Sequence, residues 1–218
     1  MKQNKKFEAA CWALVLLPLV LAAVCWPTLP DVIPGHWNVA GEIDAWAGKG
    51  QIFLFPLIGA ACNLLFVLLP KLDPKKENYE RFEKVYRIFR VIFLLFMLLM
   101  SVMMLIVGYD PYAMPMEKGI SVAMGLMFLV LGNYMPKFKH NYFVGIKTPW
   151  TLASEQVWNR THRLGGYCFA AAGAAIFLAA LLTRGELLFG VMMGAIILCI
   201  LPPLVASYIW YKKEKEAE

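Results

Sequence analysis

Six long apolar segments constrain this chain more than any other feature of its sequence. They cover residues 7–26, 52–69, 88–107, 120–135, 164–182 and 187–210, and we expect no ionisable side chain deep in any of them. Each segment is long enough to cross a hydrocarbon core of about 30 Å as a helix. In lipid the backbone polar groups must be satisfied within each segment, and the segments lack the alternation of a strand. The sequence therefore predicts an all-α integral membrane protein with six transmembrane helices.

The charged residues lie almost wholly between these segments and predict an orientation. Of the 21 Lys and Arg residues, Lys49, Lys118 and Arg184 fall on one side, and the remaining eighteen, Lys2 among them, fall on the other. Basic residues concentrate in the cytoplasmic loops of membrane proteins. We therefore expect both termini in the cytoplasm. The formal charge of +6 then reflects topology, and nucleic-acid binding is not expected.

The six segments divide the chain into three regions. Residues 1–70 hold the first two spans and an external loop at 27–50. Residues 71–136 hold a cytoplasmic helical extension with spans three and four, and residues 137–218 hold a loop at 141–166 with spans five and six. We expect the external loop to fold into a cap.

The external loop carries a set of turn-forming, polar and aromatic residues: Pro34, His36, Trp37, Asn38, Gly41 and Asp44. Turns at Pro and Gly, with Trp at the headgroup level, predict a folded cap. His36, Glu42 and Asp44 could converge on a metal ion, but they lack helical i,i+4 spacing, so we predict neither a metal nor another cofactor. A peptide or other extracellular ligand that binds the cap is the functional alternative to a purely structural role.

The loop at 141–166 contains the second set of candidate site residues: Asn141, Gly145, Lys147, Thr148, Pro149, Trp150, Glu155, Trp158 and His162. Thr148 is a suitable N-cap and Pro149 a suitable first helical residue. From there Trp150 and Trp158 share one helical face, which is largely apolar, and the opposite face is polar. This pattern predicts a short amphipathic helix in the inner membrane interface that ends at Gly165 and Gly166.

A third candidate region, residues 75–90, precedes the third span. Glu residues stand four positions before basic residues, and Tyr79, Phe82 and Tyr86 form an aromatic stripe. The pairs and the stripe predict one amphipathic helix of about four turns that continues into the span. Its apolar face either packs on the membrane or on the 141–166 loop, or it docks a cytosolic partner.

Two of these strings are similar to known proteins. The 141–166 string resembles the signature of the SdpI family of bacterial membrane proteins, and residues 34–44 resemble the small N-terminal domain of unknown function found ahead of that signature in many members. Lys147 stands where the resemblance leads us to expect Arg, and Lys keeps the charge but not the bidentate fork.

The resemblance implies a non-enzymatic, multi-pass protein of the inner (cytoplasmic) membrane. It implies protection against, or sensing of, a secreted membrane-active peptide toxin. It also implies signalling to a cytosolic transcriptional repressor as a partner.

Two other functions stay open on the residues alone. A transporter or channel for a small or lipidic solute needs a polar path, whereas Asn63 and Asn133 are more typical of interhelical hydrogen bonds. An interfacial enzyme needs an acid and a base that converge. The residues available for that chemistry are His36, Glu42 and Asp44 outside and Glu155 and His162 inside.

Overall fold

The structure, a computed structural model, describes residues 4–217. Lys2, one of the eighteen basic residues that predict the orientation, lies outside the described residues. The described part of the chain folds as eight α-helices and one two-stranded sheet. In chain order these are α1 Lys5–Cys25, β1 Val32–Trp37, β2 Ile43–Gly48, α2 Leu54–Leu72, α3 Asn78–Arg81, α4 Glu83–Tyr109, α5 Met116–Tyr134, α6 Pro149–Ala153, α7 Glu155–Leu182 and α8 Gly185–Glu216. A short 3-10 helix precedes α2 and another follows α5.

Six helices within residues 4–217 are long and apolar enough to cross a membrane: α1, α2, α4, α5, α7 and α8. They coincide with the six predicted segments, which confirms a mostly helical, multi-pass membrane protein. The prediction of an all-α fold is wrong in one place. The loop at 27–50 contains β1 and β2, which pair as an antiparallel hairpin.

The six spans pack as two groups of three. α1, α2 and α4 contact one another, α5, α7 and α8 form the second group, and α4 contacts α5 between them. We call the end of the bundle with β1 and β2 the hairpin end. The opposite end, which carries residues 137–154, is the signature end, and residues 141–166 are the signature segment.

Small residues bring α5 and α7 into backbone contact. A Cβ built on Gly132 would lie 2.4 Å from the backbone nitrogen of Ala170, and one built on Gly173 would lie 2.5 Å from that of Leu129. Glycine at these positions therefore permits the close approach that packs helices tightly in membranes.

The predicted helix over residues 75–90 is interrupted. α3 is a single turn, Phe82 has φ −132° and ψ 24°, and α4 begins at Glu83. Of the predicted charge pairs, Glu83 and Arg87 form an ion pair on α4. The break turns Tyr79 and Phe82 into the protein, where their packing outweighs helical propensity along this stretch.

The short helix predicted within the signature segment is also different. Thr148 caps α6 and Pro149 is its first residue, as predicted, but α6 ends at Ala153. Ser154 then caps α7, which runs without a break through Gly165 and Gly166. The predicted end at those glycines is wrong because both are buried against other elements and serve close packing.

Candidate functional site

The hairpin at residues 32–48 is held by a tight turn. The side-chain oxygen of Asn38 accepts hydrogen bonds from the backbone N–H groups of Ala40 and Glu42, at 2.9 and 3.0 Å. Gly41 in this turn has φ +84°, which favours glycine. Gln51 donates to the carbonyl of Gly35 at 3.1 Å and fastens β1 to the turn before α2. The turn predicted at Gly41 is therefore present, whereas the turn predicted at Pro34 is wrong, because Pro34 lies within β1.

Two of the three candidate metal-binding residues meet on this hairpin. His36 Nδ1 lies 2.6 Å from Asp44 Oδ1, where an irregular register between Pro34 and Trp37 brings the two side chains together. Both side chains are well exposed, and Glu42 instead accepts a hydrogen bond from Asn38 at 3.2 Å. Within residues 4–217, no group of three or more His, Cys, Asp or Glu side chains could hold a metal ion.

A cavity of about 280 Å³ lies between the hairpin and the helices. Residues 35–39 form its hairpin wall, and side chains of α5 and α8, among them Glu117, Ile120, Leu188 and Phe189, form the opposite wall. The hairpin also exposes three apolar side chains to the surroundings, Val32, Val39 and Trp46. This end therefore presents both an apolar surface and a cavity.

Asn141 organises the signature end. It is fully buried, and its Oδ1 accepts hydrogen bonds from the N–H groups of Phe143 and Val144 at 2.9 and 2.7 Å. Its Nδ2 donates to the carbonyls of Lys139 and Val144. The Tyr79 hydroxyl donates to the same Oδ1 at 3.3 Å and to Asp73 at 3.0 Å. One amide thus ties the signature segment to Tyr79 of α3.

His162 is a second buried anchor, one turn after Trp158 on α7. Its Nδ1 donates to the carbonyl of Trp158 and its Nε2 accepts from the N–H of Ile146, each at 2.9 Å. Donation by Nδ1 and acceptance by Nε2 define one neutral tautomer. Gly145 has φ +120°, and a Cβ there would lie 2.3 Å from His162 Nε2. Both ring nitrogens are used by the protein, so His162 has no nitrogen left to act as the base of an enzyme.

Trp158 and its neighbours fill the space beneath the signature segment. The indole is fully buried, donates to the carbonyl of Phe138 at 2.9 Å, and stacks on His162 with ring centres 4.0 Å apart. His140 packs on its other side at 5.0 Å. Trp158 is therefore part of the core, and the sequence correctly placed it on the apolar face of its helix.

The remaining signature residues lie nearer the surface. Lys147 is exposed and donates to the carbonyl of Phe143 at 2.9 Å. Glu155 is exposed in the first turn of α7, where a carboxylate is favourable. Trp150 is half-buried and packs on Tyr208 of α8 with ring centres 5.0 Å apart.

Tyr79, Phe82 and Tyr86 do not form a face for a partner. All three are buried, and they pack with Phe138 and Trp158 in one cluster. Burial and the neighbouring Asp73 raise the pKa of the Tyr79 phenol, so it stays protonated and donates. The docking prediction for these three residues is wrong, and the alternative, packing on the loop at 141–166, is confirmed.

A charged cluster that the sequence did not predict joins three helices. Arg90 of α4 is almost fully buried and donates two hydrogen bonds to the carboxylate of Glu8 on α1, each at 2.8 Å. Its Nε donates to Asn63 of α2 at 2.8 Å. Glu8 and Arg90 lie near the ends of the apolar segments 7–26 and 88–107, so they are not deep in a span. Three residues on separate helices carry no local spacing signal, although an Arg inside an apolar segment already indicates a buried partner.

Comparisons with known proteins agree with this arrangement. Residues 137–206 match the SdpI/YfhL protein family, and residues 13–60 match a domain of unknown function (DUF1648). The chain is 25% identical over 200 residues to Immunity protein SdpI of Bacillus subtilis (strain 168), which covers 92% of this chain and 93% of that protein. No solved structure matches the chain. The resemblance read from the sequence is therefore confirmed: the hairpin lies within the DUF1648 match and the signature segment within the SdpI/YfhL match.

Proposed function

We propose that this protein is an immunity or sensor protein of the cytoplasmic membrane that protects a bacterial cell against a secreted, membrane-active peptide toxin. The observation that carries the proposal is its similarity, over nearly its whole length, to a protein named for immunity. In this proposal the hairpin end faces outward and the signature end, with both termini, faces the cytoplasm. The distribution of Lys and Arg supports that orientation.

The peptide meets the hairpin end. Val32, Val39 and Trp46 offer exposed apolar contacts, and α5 and α8 line the cavity with apolar side chains, among them Phe189, and with Glu117. Exposed aromatic side chains beside a cavity are typical anchors for a partner. Pro34, Trp37 and Asn38 shape this surface, and the hydrogen-bonded His36–Asp44 pair adds polar side chains to it.

Survival of a peptide-sensitive strain tests the proposal. Cells that express the protein should tolerate a membrane-active peptide that kills the same cells with an empty vector. Trp46→Ala should reduce that protection because it removes an exposed apolar contact on the hairpin. Tyr112→Ala is the matched control, since Tyr112 is 82% exposed in the connection between α4 and α5. No protection against any of a panel of secreted peptides, at verified membrane expression, would refute the proposal.

On the cytoplasmic side, the proposed partner is a cytosolic transcriptional repressor. Because Tyr79, Phe82 and Tyr86 are buried, a regulator would bind exposed side chains of the signature end, such as Lys147 and Glu155. In the native host we expect the peptide to raise transcription of the gene for this protein. Lys147→Ala with Glu155→Ala should abolish that rise and leave survival conferred by plasmid expression unchanged. An unaltered transcriptional response would remove this surface from the proposal.

A further inference from the structure

A large groove opens at the signature end, and its lining residues belong to neither the hairpin nor the signature segment. It has a volume of about 770 Å³ and lies between the start of α1, the end of α2, α3 and the start of α4. Cavities of this size hold small molecules and lipid headgroups. Tyr79, which also contacts the signature segment, lines the inner wall of the groove.

The groove is amphiphilic. Trp12 of α1 and Phe66, Val67 and Pro70 of α2 form an apolar wall. Trp12 is also 38% exposed on the outer surface of α1. The apolar side therefore continues onto a helix surface that faces lipid in a membrane protein.

The polar side of the groove is cationic. Five basic and three acidic side chains line it, which leaves a net charge of +2. Lys5, Lys71 and Lys76 are exposed, and within residues 4–217 none of the three forms an ion pair. Lys5 stands in the first turn of α1 and Lys71 near the last residue of α2, so both lie where these spans leave the hydrocarbon core.

The floor of the groove is rigid and self-neutralised. Both terminal nitrogens of Arg90 donate hydrogen bonds to the Glu8 carboxylate, and the centre of the Phe7 ring lies 5.5 Å from the Arg90 guanidinium.

Arg87, the other arginine of the groove, pairs with Glu83. The three lysines therefore provide the attraction for an anion, and they outnumber the two remaining carboxylates, Glu77 and Glu80. A ligand that binds these lysines through an anionic group and also packs an apolar part along Trp12 is an amphiphile at the membrane surface.

From this combination we infer that the groove binds an anionic phospholipid, with its phosphate among Lys5, Lys71 and Lys76 and its acyl chains along the Trp12 wall. Basic residues at the membrane surface attract anionic headgroups, and lipid-specific pockets of this kind are basic clusters beside spans. A free phosphate would use the lysines but not the apolar wall. This inference does not depend on the immunity function.

Lipid retention by the purified full-length protein tests the inference. In a non-ionic detergent, native mass spectrometry should show bound phosphatidylglycerol in preference to phosphatidylcholine at equal concentration. Lys5→Gln, Lys71→Gln and Lys76→Gln together should lower phosphatidylglycerol occupancy, by about fivefold in affinity for each lysine. Arg160→Gln, Arg163→Gln and Lys213→Gln together are the matched control, because they remove three exposed charges from the same end outside the groove. Equal losses in both triple variants would overturn the inference.

Two further measurements distinguish a bound phospholipid from a bound phosphate ion. Brominated phosphatidylglycerol should quench fluorescence in the wild type more than in Trp12→Phe, while Trp26→Phe, at the other end of α1, should behave as the wild type. Phosphatidylglycerol should also raise the melting temperature, and inorganic phosphate should not. A shift of equal size with phosphate, or equal quenching in both tryptophan variants, would refute a phospholipid in this groove.

Discussion

At the scale of single residues, two buried polar side chains of the signature end, Asn141 and His162, have complete hydrogen bonding. His162 uses both ring nitrogens, and Asn141 uses its oxygen and both amide hydrogens. Removing one partner from such a network leaves a buried polar atom unsatisfied, which costs about 1–3 kcal/mol. The residues that identify the segment in the sequence are thus the ones that hold its backbone in place.

Gly145→Ala should destabilise the protein by about 1–3 kcal/mol. The new Cβ would occupy a left-handed backbone position and would lie 2.3 Å from His162 Nε2. Gly194→Ala is the control, because nothing lies within 4 Å of a Cβ built on Gly194. Thermal unfolding in detergent, followed by circular dichroism, measures both. Equal melting temperatures for the two variants would contradict the role given to Gly145.

His140 makes stability depend on pH. Burial, with the nearby Lys75, lowers the pKa of His140, because Lys75 Nζ donates to its Nδ1 at 2.8 Å and so favours the neutral ring. A histidine with a lowered folded-state pKa contributes stability above its unfolded value of 6.5 and loses it as the pH falls. The melting temperature should therefore fall more steeply below pH 6.5 in the wild type than in His140→Gln. Parallel curves for the two proteins would show that another group controls this range.

At the scale of elements, one ionic cluster connects α1, α2 and α4. Arg90 meets Glu8 on one helix and Asn63 on another, so a single side chain bridges the first group of spans. A buried ion pair is weak evidence for net stability, but breaking it by removal of one partner leaves an uncompensated charge. The cluster thus specifies which helix faces which.

Glu8→Gln should destabilise the first group of spans by about 3 kcal/mol, because Arg90 would stay buried without a counter-charge. Glu8→Leu combined with Arg90→Leu should be more stable than Glu8→Gln, since it removes the charge altogether. Thermal unfolding of the two variants and the wild type gives the order of their stabilities. A double variant less stable than Glu8→Gln would show that the pair itself, and not the penalty of the orphaned charge, dominates.

At the scale of the whole molecule, the sequence predicted the six spans because hydrophobic length is a local property. It also predicted the Thr148 N-cap and the apolar helical face that carries Trp158, which follow from short-range patterns. It did not predict the hairpin, the break at Phe82 or the Arg90 cluster. The break and the Arg90 cluster depend on contacts between residues far apart in the chain, where tertiary packing overrides local propensity. The hairpin is local, but β1 contains Pro34 and Gly35, which are depleted in strands and typical of turns.

The proposed orientation predicts which residues a membrane-impermeant thiol reagent reaches in intact cells. Gly48→Cys lies on the hairpin with nothing within 4 Å of its Cβ, and Lys213→Cys lies near the end of α8. We expect labelling of Gly48→Cys in intact cells, and labelling of Lys213→Cys only after lysis. The wild type, whose cysteines are free, gives the background. The reverse labelling pattern would show that the protein has the opposite orientation in the membrane.

The division of the spans into two groups has a consequence for how the protein is made. α1, α2 and α4 precede α5, α7 and α8 in the chain, so each group consists of consecutive spans. The first trio, with its Arg90 bridge, can therefore assemble in the bilayer while the ribosome still translates the second. The glycine contact between α5 and α7 then forms late, when α7 has left the ribosome. The signature segment can thus pack against a trio that is already in place, before α8 joins α7.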